Sequence, residues 1–481
     1  MNYNNCDFVI FGIKGDLSQR KLLPSLYKLD EKKMLHKETK IIGIGRAEWE
    51  KKKFIKIVKK SLKKFLNKKI KKNIWKKFKK RLKFCNLDVN NIKKYVTLKN
   101  IISKNKVIIN YLAIPYYTYS NICKGLNKYN MNLKNSRIVL EKPLGNSLKT
   151  SRNLNKTIGK YFKEYQIFRI DHYLGKETII NLLYFRFSNS IFYKIWNKKN
   201  IDHIQITVAE KIGIEGRLKY FDKMGQMKDM VQNHLLQILS IIAMEEPKKI
   251  DSDSIRDEKV KILKSLHFIK EHEIDKKTSI GQYKTGKINN ILVPSYISET
   301  SKKKNNTETF VAIKININNK KWKDIPFYLR TGKRLKKKCS KIVIVFKKNK
   351  SKIFNKYLNS HENKLTIYLE PKERIYLEFL NKVPNLNKKC KLKNSKMKFI
   401  YSKNFGKKSI PDAYEKLLLE CILGDQSLFV RRDEVEQSWK WIDNIINIWK
   451  KRSKELELYS SGSWGPKLSK KIIESDGRKW F

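Results

Sequence analysis

The sequence has few cysteines and no long apolar run, and both absences argue against whole classes of protein. The six cysteines lie at positions 6, 85, 123, 339, 390 and 421; none belongs to a Cys-x-x-Cys pair, and no histidine cluster accompanies them. We therefore expect free thiols, no disulfide framework and no metal site. No run of 18 apolar residues occurs, and the N-terminus lacks a basic segment followed by an apolar one. These features predict a soluble, cytoplasmic protein without a membrane partner.

Acidic residues are also scarce, with 45 Asp and Glu against 109 Lys and Arg, which gives a formal net charge of +64. Such a charge is found in proteins that bind nucleic acids or anionic membranes. The excess is almost all Lys, and Lys is spread along the whole chain beside abundant Asn and Ile. Polyanion binders more often use Arg for bidentate contacts. We interpret the charge as compositional drift and expect no specific nucleic-acid partner, although weak, salt-sensitive RNA binding stays open.

The order of apolar and periodic segments predicts two domains. Residues 1–176 alternate short apolar runs with helical patterns, as in "DFVIF", "TKIIGIGR", "VIINYLAIP" and "SRIVLEKPLG". This βαβ alternation is typical of an α/β Rossmann domain with a parallel sheet. Residues 177–481 contain longer alternating strands and grouped helices. They predict an α+β C-terminal domain with a large, mainly antiparallel sheet.

A glycine loop and an arginine indicate a dinucleotide site in the first domain. Gly12 and Gly15 lie between a predicted strand and a predicted helix, where backbone N–H groups can approach a phosphate. Two turn glycines without a ligand remain the alternative, because the full G-x-G-x-x-G spacing is absent. Arg46 ends the second predicted strand. A cation at that position suits the 2′-phosphate of NADP, although a solvated surface arginine is the alternative.

Two segments combine titratable groups in a way that indicates catalysis. In "RIDHYLGKETIINL", Asp171 and His172 are adjacent, so their side chains do not share a face. Asp171 could therefore orient and stabilise a different histidine. His234 is the candidate, in the predicted helix "GQMKDMVQNHLLQIL", where Asp229 precedes it by five residues. The alternative is a satisfied core histidine on an apolar helix face.

The complete series of motifs resembles the glucose-6-phosphate dehydrogenase family over nearly the whole length. These motifs, in chain order, are "FGIKGDLSQRKLLPSLY", "GIGRAEW", "EKPLG", "RIDHYLGKETIINL", "AEKIGIEGRLKYFDKMGQMKDMVQNHLLQIL", "IPFYLRTGKRL", "PDAYEKLLLECILGDQSLFVRRDEVEQSWKW" and "SGSWGPK". The resemblance implies oxidation of D-glucose 6-phosphate at C1 to 6-phospho-D-glucono-1,5-lactone, with hydride transfer to NADP. This reaction is the first step of the oxidative pentose phosphate pathway. The resemblance also implies a homodimer or homotetramer with the large sheet in the subunit interface.

The resemblance implies a role for each residue that matches a family motif. His234 would be the general base for the C1 hydroxyl, and Asp171 would hydrogen-bond it and stabilise the imidazolium. The residues that would bind the substrate are His172, Tyr173 and Lys176 at the phosphate, Glu210 and Asp229 at the sugar hydroxyls, and Lys142, Lys333 and Lys338. The residues that would bind NADP are Gly12, Gly15, Asp16, Leu17, Arg46, Asp88, Val89 and Lys142.

Three positions depart from the family pattern. Lys14 stands in the glycine loop where the family usually has a small Ser or Thr, and Leu144 replaces a common Phe. Glu370 stands where the family usually has Gln, and a carboxylate there is unfavourable beside a phosphate unless Lys333 or another cation neutralises it.

Two other interpretations stay open at this point. A basic nucleic-acid-binding protein on a degraded enzyme scaffold would bind RNA without turnover. A dehydrogenase for a different sugar phosphate would share the motifs and differ in substrate preference.

Overall fold

The computed structural model describes residues 4–103, 106–300, 305–349, 362–384, 386, 391–406 and 410–481. The chain divides into two compact units. The first unit comprises Met1–Gly175, Lys248–Arg256 and Pro411–Glu436, and the second comprises Lys176–Pro247, Asp257–Ile410 and Gln437–Phe481. The first unit therefore includes two short segments from later in the chain.

The strands of the described residues are, in chain order, β1 (Cys6–Phe11), β2 (Lys40–Gly45), β3 (Leu82–Asn86), β4 (Val107–Leu112), β5 (Ser136–Leu140), β6 (Ile167–Ile170), β7 (Ile201–Ala209), β8 (Thr278–Lys284), β9 (Gly286–Ile288), β10 (Ile291–Val293), β11 (Phe310–Ile315), β12 (Phe327–Gly332), β13 (Cys339–Phe346), β14 (Lys364–Glu370), β15 (Arg374–Lys382), β16 (Leu392–Ile400), β17 (Phe429–Val430) and β18 (Glu457–Ser460).

The α-helices are α1 (Leu23–Glu31), α2 (Lys51–Phe65), α3 (Lys72–Arg81), α4 (Tyr95–Ile101), α5 (Tyr119–Lys128), α6 (Leu148–Gly159), α7 (Glu177–Phe187), α8 (Ser190–Ile195), α9 (Leu218–Gln226), α10 (Leu236–Ala243), α11 (Ser252–Lys264), α12 (Ile274–Lys277), α13 (Tyr296–Thr300), α14 (Tyr401–Asn404), α15 (Ala413–Leu423), α16 (Arg432–Lys451) and α17 (Leu468–Glu474). Two π-helical segments, Ser18–Leu22 and Met227–Leu235, precede α1 and α10. Short 3₁₀ turns occupy Ile92–Lys94, Tyr116–Thr118, Glu164–Gln166 and Glu271–Glu273.

The first unit is built on a seven-stranded sheet with the order β17-β6-β5-β4-β1-β2-β3. Strands β1 to β6 run parallel, and only β17 is antiparallel. All six residues of β1 are buried, which is the environment that a continuous apolar run in a parallel sheet requires. This arrangement is the predicted Rossmann fold, and the sheet order changes direction between β1 and β4.

The core of the first unit uses residues from a distant part of the sequence. Leu417, Leu418 and Cys421 of α15, together with Phe429 of β17, belong to the same buried cluster as Phe8 of β1. β17 extends the sheet by pairing Phe429 with Ile170 of β6. The predicted boundary at residue 176 remains a prediction, and the sequence carried no sign that 411–436 belongs with the N-terminal segment.

Helices α2 and α3 carry a strong local concentration of positive charge. Residues 51–87 contain 18 Lys or Arg residues and no Asp or Glu. Each helix buries one apolar face, through Phe54, Val58 and Leu62 in α2 and Phe78 in α3, while the lysines between residues 51 and 80 are exposed. The two helices therefore fold by burying a narrow apolar stripe and leaving their cations in water.

The second unit contains a nine-stranded sheet with the order β16-β15-β14-β13-β7-β12-β11-β8-β18, and a separate hairpin of β9 and β10. Most neighbouring strands are antiparallel, as predicted, but β7 pairs parallel with β12 and β18 pairs parallel with β8. The sheet is thus mixed. A buried cluster that includes Phe221, Tyr283, Phe310 and Tyr328 packs on one part of it.

The sequence also predicts free thiols and no membrane-spanning helix. Cys6, Cys85, Cys123, Cys339 and Cys421 are free thiols, and Cys390 lies outside the described residues. Among the described helices, none combines the length and apolar character that a membrane crossing requires.

Candidate active site

The predicted site residues are divided between the two units. The first unit contains Gly12, Gly15, Asp16, Leu17, Arg46, Asp88, Val89, Lys142, Asp171, His172 and Tyr173. The second unit contains Lys176, Glu210, Asp229, His234, Lys333 and Lys338. Each set is described within its own unit.

In the first unit, the predicted residues follow the carboxyl ends of parallel strands. Gly12 follows β1, Arg46 follows β2, Asp88 follows β3, Lys142 follows β5 and Asp171 follows β6. Because these strands run parallel, their carboxyl ends meet at one edge of the sheet. In open α/β sheets this edge is where dinucleotides and substrates bind.

The glycine loop has a geometry that requires glycine at its first position. Gly12 has a φ of +86°, and a Cβ there would lie 2.4 Å from Ile114 Cγ2 and 2.5 Å from the Ala113 carbonyl oxygen. The Gly15 N–H donates to the Gly12 carbonyl at 2.9 Å, and so does the Ser18 hydroxyl. The loop is therefore a tight turn with no side chain at Gly12 or Gly15, and a cofactor phosphate could approach its backbone at these two positions.

The side chains of this loop are already engaged. The Lys14 ammonium lies 4.8 Å from the centre of the Trp49 ring, so its positive charge faces an aromatic surface. Asp16 pairs with Arg20 at 2.8 Å in an exposed ion pair, and Leu17 packs partly against the core. The Gly12–Gly15 turn thus forms with Lys14 in place, and the larger side chain is accommodated beside Trp49.

The contact of Arg46 with a cofactor phosphate stays a prediction, and the sheet defines where this residue lies. Arg46 is exposed and follows β2, whose residue Ile44 pairs with Phe11 immediately before the glycine loop. The Gly12 N–H also donates to the Ile44 carbonyl at 3.2 Å. Arg46 therefore directly follows the strand next to the loop, a position that in dinucleotide-binding folds carries the residue for the adenosine ribose.

Asp88 and Val89 are held in a turn after the edge strand β3. The Asp88 carboxylate accepts the Asn90 N–H at 3.0 Å, and the Val89 carbonyl accepts the Tyr95 hydroxyl at 3.1 Å. Their position beyond β2 is compatible with contacts to the outer part of a dinucleotide.

A partly buried carboxyl beside Lys142 is a feature that sequence reasoning missed. Glu141 accepts hydrogen bonds from the hydroxyls of Tyr111 and Tyr414, the latter at 3.3 Å. Burial raises the pKa of Glu141, against the opposing effect of these hydroxyls. The Tyr414 ring also stacks on His172, with ring centres 6.5 Å apart at 12°. The "EKPLG" motif contains Glu141, but no local pattern indicates that Tyr414 would reach it.

Asp171, His172 and Tyr173 turn sharply after β6. The Asp171 carboxylate accepts the Tyr173 N–H at 2.9 Å, and Asp171 is only 3% exposed. Tyr173 is buried as well, whereas His172 is partly exposed. A carboxylate oxygen of Asp171 nevertheless lies within 4.8 Å of a ring nitrogen of His172, so the expectation that these two side chains would not share a face is wrong.

In the second unit, Glu210 and Lys333 follow two neighbouring parallel strands. Ala209 at the end of β7 pairs with Gly332 at the end of β12, so the next residues emerge side by side. Lys333 Nζ lies 2.6 Å from Glu210 Oε2, and the Lys333 side chain is 1% exposed. A lysine this deeply buried needs such a partner, because an unpaired ammonium would be strongly destabilised.

Asp229 and His234 lie in the π-helical segment Met227–Leu235, where the 3–4 spacing had predicted an ordinary α-helix. Hydrogen bonds in a π-helix join residues five apart, and its wider turn places residues five positions apart closer to one side than an α-helix does. This winding brings Asp229 and His234 towards the same side of the segment. Asp229 accepts the Tyr220 hydroxyl at 3.1 Å, and His234 is 1% exposed.

Glu370 contacts two of the predicted substrate-binding lysines. The Lys176 ammonium donates to Glu370 Oε1, and Lys338 Nζ lies 3.2 Å from Glu370 Oε2. Partial burial would raise the pKa of Glu370, but the two lysines outweigh it and hold the pKa below the usual value. The neutralising cations are therefore Lys176 and Lys338, while Lys333 pairs with Glu210.

A parallel sheet of this order, with a glycine loop after β1, is the fold of a dinucleotide-binding domain. Two family models match the chain: "Glucose-6-phosphate dehydrogenase, NAD binding domain" over residues 9–181 and "Glucose-6-phosphate dehydrogenase, C-terminal domain" over residues 183–481. The chain belongs to the glucose-6-phosphate dehydrogenase family.

Individual relatives match this chain over nearly its full length. A glucose-6-phosphate 1-dehydrogenase of Buchnera aphidicola subsp. Schizaphis graminum is 57% identical over 99% of this chain and 98% of its own length. That of Dickeya dadantii is 48% identical over 99% of this chain and 97% of its own. A solved glucose-6-phosphate dehydrogenase in complex with glucose 6-phosphate superimposes with a TM-score of 0.91 at 33% identity, covering 100% of both chains. The chain is thus an oxidoreductase of this family, which catalyses the first step of the pentose phosphate pathway.

Proposed function

We propose that this protein oxidises D-glucose 6-phosphate at C1 to 6-phospho-D-glucono-1,5-lactone and uses NADP in preference to NAD. The position of Arg46 carries the cofactor assignment. It follows β2, beside the tight Gly12 loop, where a forked cation can hold the 2′-phosphate that distinguishes NADP from NAD. Gly12, Gly15, Asp16, Leu17, Asp88 and Val89 complete the proposed NADP site, with Lys142 between cofactor and substrate.

We assign the proton transfer to His234. A neutral imidazole would accept the proton of the C1 hydroxyl while the hydride leaves C1, so that the carbonyl of the lactone forms. The proposed role of Asp171 is to accept a hydrogen bond from this imidazole and to stabilise the imidazolium that results. When bound, the nicotinamide supplies the hydride acceptor. Family membership supports this pairing, and the burial of both residues suits a reaction that excludes water.

We assign the other residues to substrate binding. His172, Tyr173 and Lys176 would hold the phosphate, with Lys333 and Lys338 as further cations, and Glu210 and Asp229 would accept hydrogen bonds from sugar hydroxyls. The substrate phosphate is dianionic near neutral pH, so lysines lining its site favour binding. Glu210 already accepts from Lys333, which fixes the orientation of its carboxylate.

We also propose that the protein acts in the cytoplasm as a homodimer or homotetramer, without a specific nucleic-acid or membrane partner. The buried free thiols support a reducing compartment. Sedimentation equilibrium with the purified protein would give the mass of the assembly, and a monomer would contradict the oligomer.

The cofactor proposal is tested by measuring NADPH or NADH formation with glucose 6-phosphate in the wild type, Arg46→Ala and Arg152→Ala. Arg152 is an exposed arginine of α6 and serves as the matched control. Loss of a charge-assisted contact should raise the KM for NADP about 10- to 100-fold in Arg46→Ala and leave the KM for NAD unchanged. An equal rise in the KM values for NADP and NAD would contradict the role of Arg46. Faster turnover of another hexose phosphate would mean that glucose 6-phosphate is not the preferred substrate.

The base is tested by His234→Asn, assayed at saturating substrate and cofactor. Loss of general-base catalysis should lower kcat by about 10²- to 10⁴-fold, while binding of glucose 6-phosphate, measured by calorimetry, is retained. A variant with the kcat of the wild type would exclude His234 as the base.

A further inference from the structure

The carboxylate of Glu370 lies between two lysines that the proposed function places at the substrate phosphate. We propose that Glu370 is a specificity-determining residue that lowers the affinity of the site for this phosphate, because its carboxylate forms ion pairs with the ammonium groups of Lys176 and Lys338. This inference rests on the proposed function. It concerns how tightly the site binds the phosphate and leaves the reaction unchanged.

The elements of the second unit hold Glu370 in this position. Glu370 is the last residue of β14 and pairs with Ser340 of β13, two residues after Lys338. Lys176 directly precedes α7, which packs against β14. The backbone that carries each of these two residues is fixed by strand pairing or by the adjoining helix. The contact is therefore positioned by the fold and does not depend only on two flexible surface side chains.

The degree of burial strengthens the contact with Lys176. The Lys176 side chain is 12% exposed and that of Glu370 is 27% exposed. Ion pairs that are partly withdrawn from water are screened less by salt and solvent than exposed ones. Lys338 is 64% exposed and completes the bridge from the solvent side at 3.2 Å.

The charges of this cluster determine what a phosphate would meet. Two ammonium groups alone would offer a charge of +2 to a phosphate dianion, whereas the cluster with an ionised Glu370 offers only +1. A phosphate must either displace the carboxylate from the lysines or bind beside it against like-charge repulsion. Both alternatives lower the affinity for the phosphate.

The same sheet provides a matched control. On β15, the Glu378 carboxylate bridges Lys364 and Lys396, each at 3.3 Å, and Glu378 is buried. None of these three residues is assigned to the substrate. Glu378→Gln therefore reproduces the loss of a carboxylate between two lysines without altering the proposed phosphate site.

The experiment compares the wild type, Glu370→Gln and Glu378→Gln. Steady-state kinetics with NADP would be measured for glucose 6-phosphate and for glucose, which lacks the phosphate, together with inhibition by inorganic phosphate. We expect Glu370→Gln to lower the KM for glucose 6-phosphate and the inhibition constant of phosphate about tenfold, equivalent to about 1.4 kcal/mol. The kcat and the kinetics with glucose should not change, and Glu378→Gln should match the wild type.

A double-mutant cycle tests whether the effect runs through Lys176. Lys176→Gln should raise the KM for glucose 6-phosphate more in the Glu370→Gln background than in the wild type, because only there is the ammonium released from its carboxylate. If the two effects simply add, or if Glu370→Gln leaves the KM and the phosphate inhibition constant unchanged or higher, the proposal is wrong.

Calorimetric titration with inorganic phosphate separates this proposal from the proposed function. If the wild type does not oxidise glucose 6-phosphate, the proposed function fails, yet tighter phosphate binding by Glu370→Gln would still support the role of Glu370. Equal phosphate affinity in both proteins would overturn it. Should Glu370→Gln fail to fold, Glu370→Ala removes the same charge and is expected to shift phosphate affinity in the same direction.

Discussion

Glu308 caps the segment that carries the candidate base, and its ionisation should make the stability of the protein depend on pH. Its carboxylate accepts the Met227 N–H at 3.0 Å, and its carbonyl accepts the Gln226 N–H at 2.9 Å. Gly225 lies against the carboxylate, since a Cβ there would come within 2.3 Å of Glu308 Oε1. Burial, only partly offset by these backbone donors, raises the pKa of Glu308 from 4.5 to about 7.

The sign and size of the effect follow from this shift. The folded protein retains a proton that the unfolded chain releases between pH 4.5 and about 7. The stabilisation from this proton is complete below pH 4.5 and is lost as the pH rises through 7. At about 1.4 kcal/mol for each pKa unit, the loss amounts to about 3 kcal/mol.

Glu308→Gln isolates this contribution, because the amide keeps a hydrogen-bond acceptor for Met227 but cannot ionise. Urea denaturation of both proteins at pH 5, 6, 7 and 8 would give the difference in unfolding free energy at each pH. We expect the unfolding free energy of the variant, relative to that of the wild type, to rise by about 2.5 kcal/mol from pH 5 to pH 8, because part of the change already lies below pH 5. Glu378→Gln is the control, since the paired lysines hold the pKa of Glu378 below its usual value and it stays ionised above pH 6. A flat difference curve for Glu308→Gln, or one of opposite slope, would refute the reasoning.

Three further predictions concern stability. Lys52→Glu should raise the unfolding free energy by about 0.5–1 kcal/mol more than Lys52→Gln, because a carboxylate in the first turn of α2 interacts favourably with the helix dipole and with Lys56. Equal denaturation midpoints for the two variants would contradict this prediction. Arg186→Met should cost about 3 kcal/mol in urea denaturation through lost bonds to the Ile241 and Met244 carbonyls, and a loss below 1 kcal/mol would contradict it. The melting temperature should rise with added salt, since residues 51–87 repel one another; a flat or falling curve would contradict it.

The parts of the fold that local sequence determines could be predicted. Buried parallel strands read as continuous apolar runs, and β1, β2, β4 and β5 form within the segments that had this character. The residues at their carboxyl ends, including Gly12, Arg46 and Lys142, could be predicted for the same reason. A strand directs the following residue to the edge of its sheet, whatever the rest of the chain does.

Features that depend on distant contacts could not be predicted. The addition of α15 and β17 to the first unit follows from packing of residues near position 420 on β1 and β6, and no local pattern encodes it. The π-helical winding around His234 also could not be predicted, because the apolar residues of this nine-residue segment fit the spacing of an ordinary helix as well. The pairing of Tyr414 with Glu141 crosses 273 positions in the sequence.

In this lysine-rich chain, burial distinguishes the lysines that need a specific partner from the many lysines that need none. An exposed lysine costs little to acquire, so the cations of α2 and α3 can accumulate without a role. A buried ammonium is tolerated only with a nearby carboxylate or acceptor, which makes each such pair a constraint on two positions at once. Lys333 with Glu210, and Lys176 with Glu370, meet this condition. In both pairs the carboxylate forms an ion pair with an ammonium group that could otherwise bind a phosphate. The affinity of this protein for an anionic substrate should therefore depend more on these two carboxylates than on the net charge of the chain.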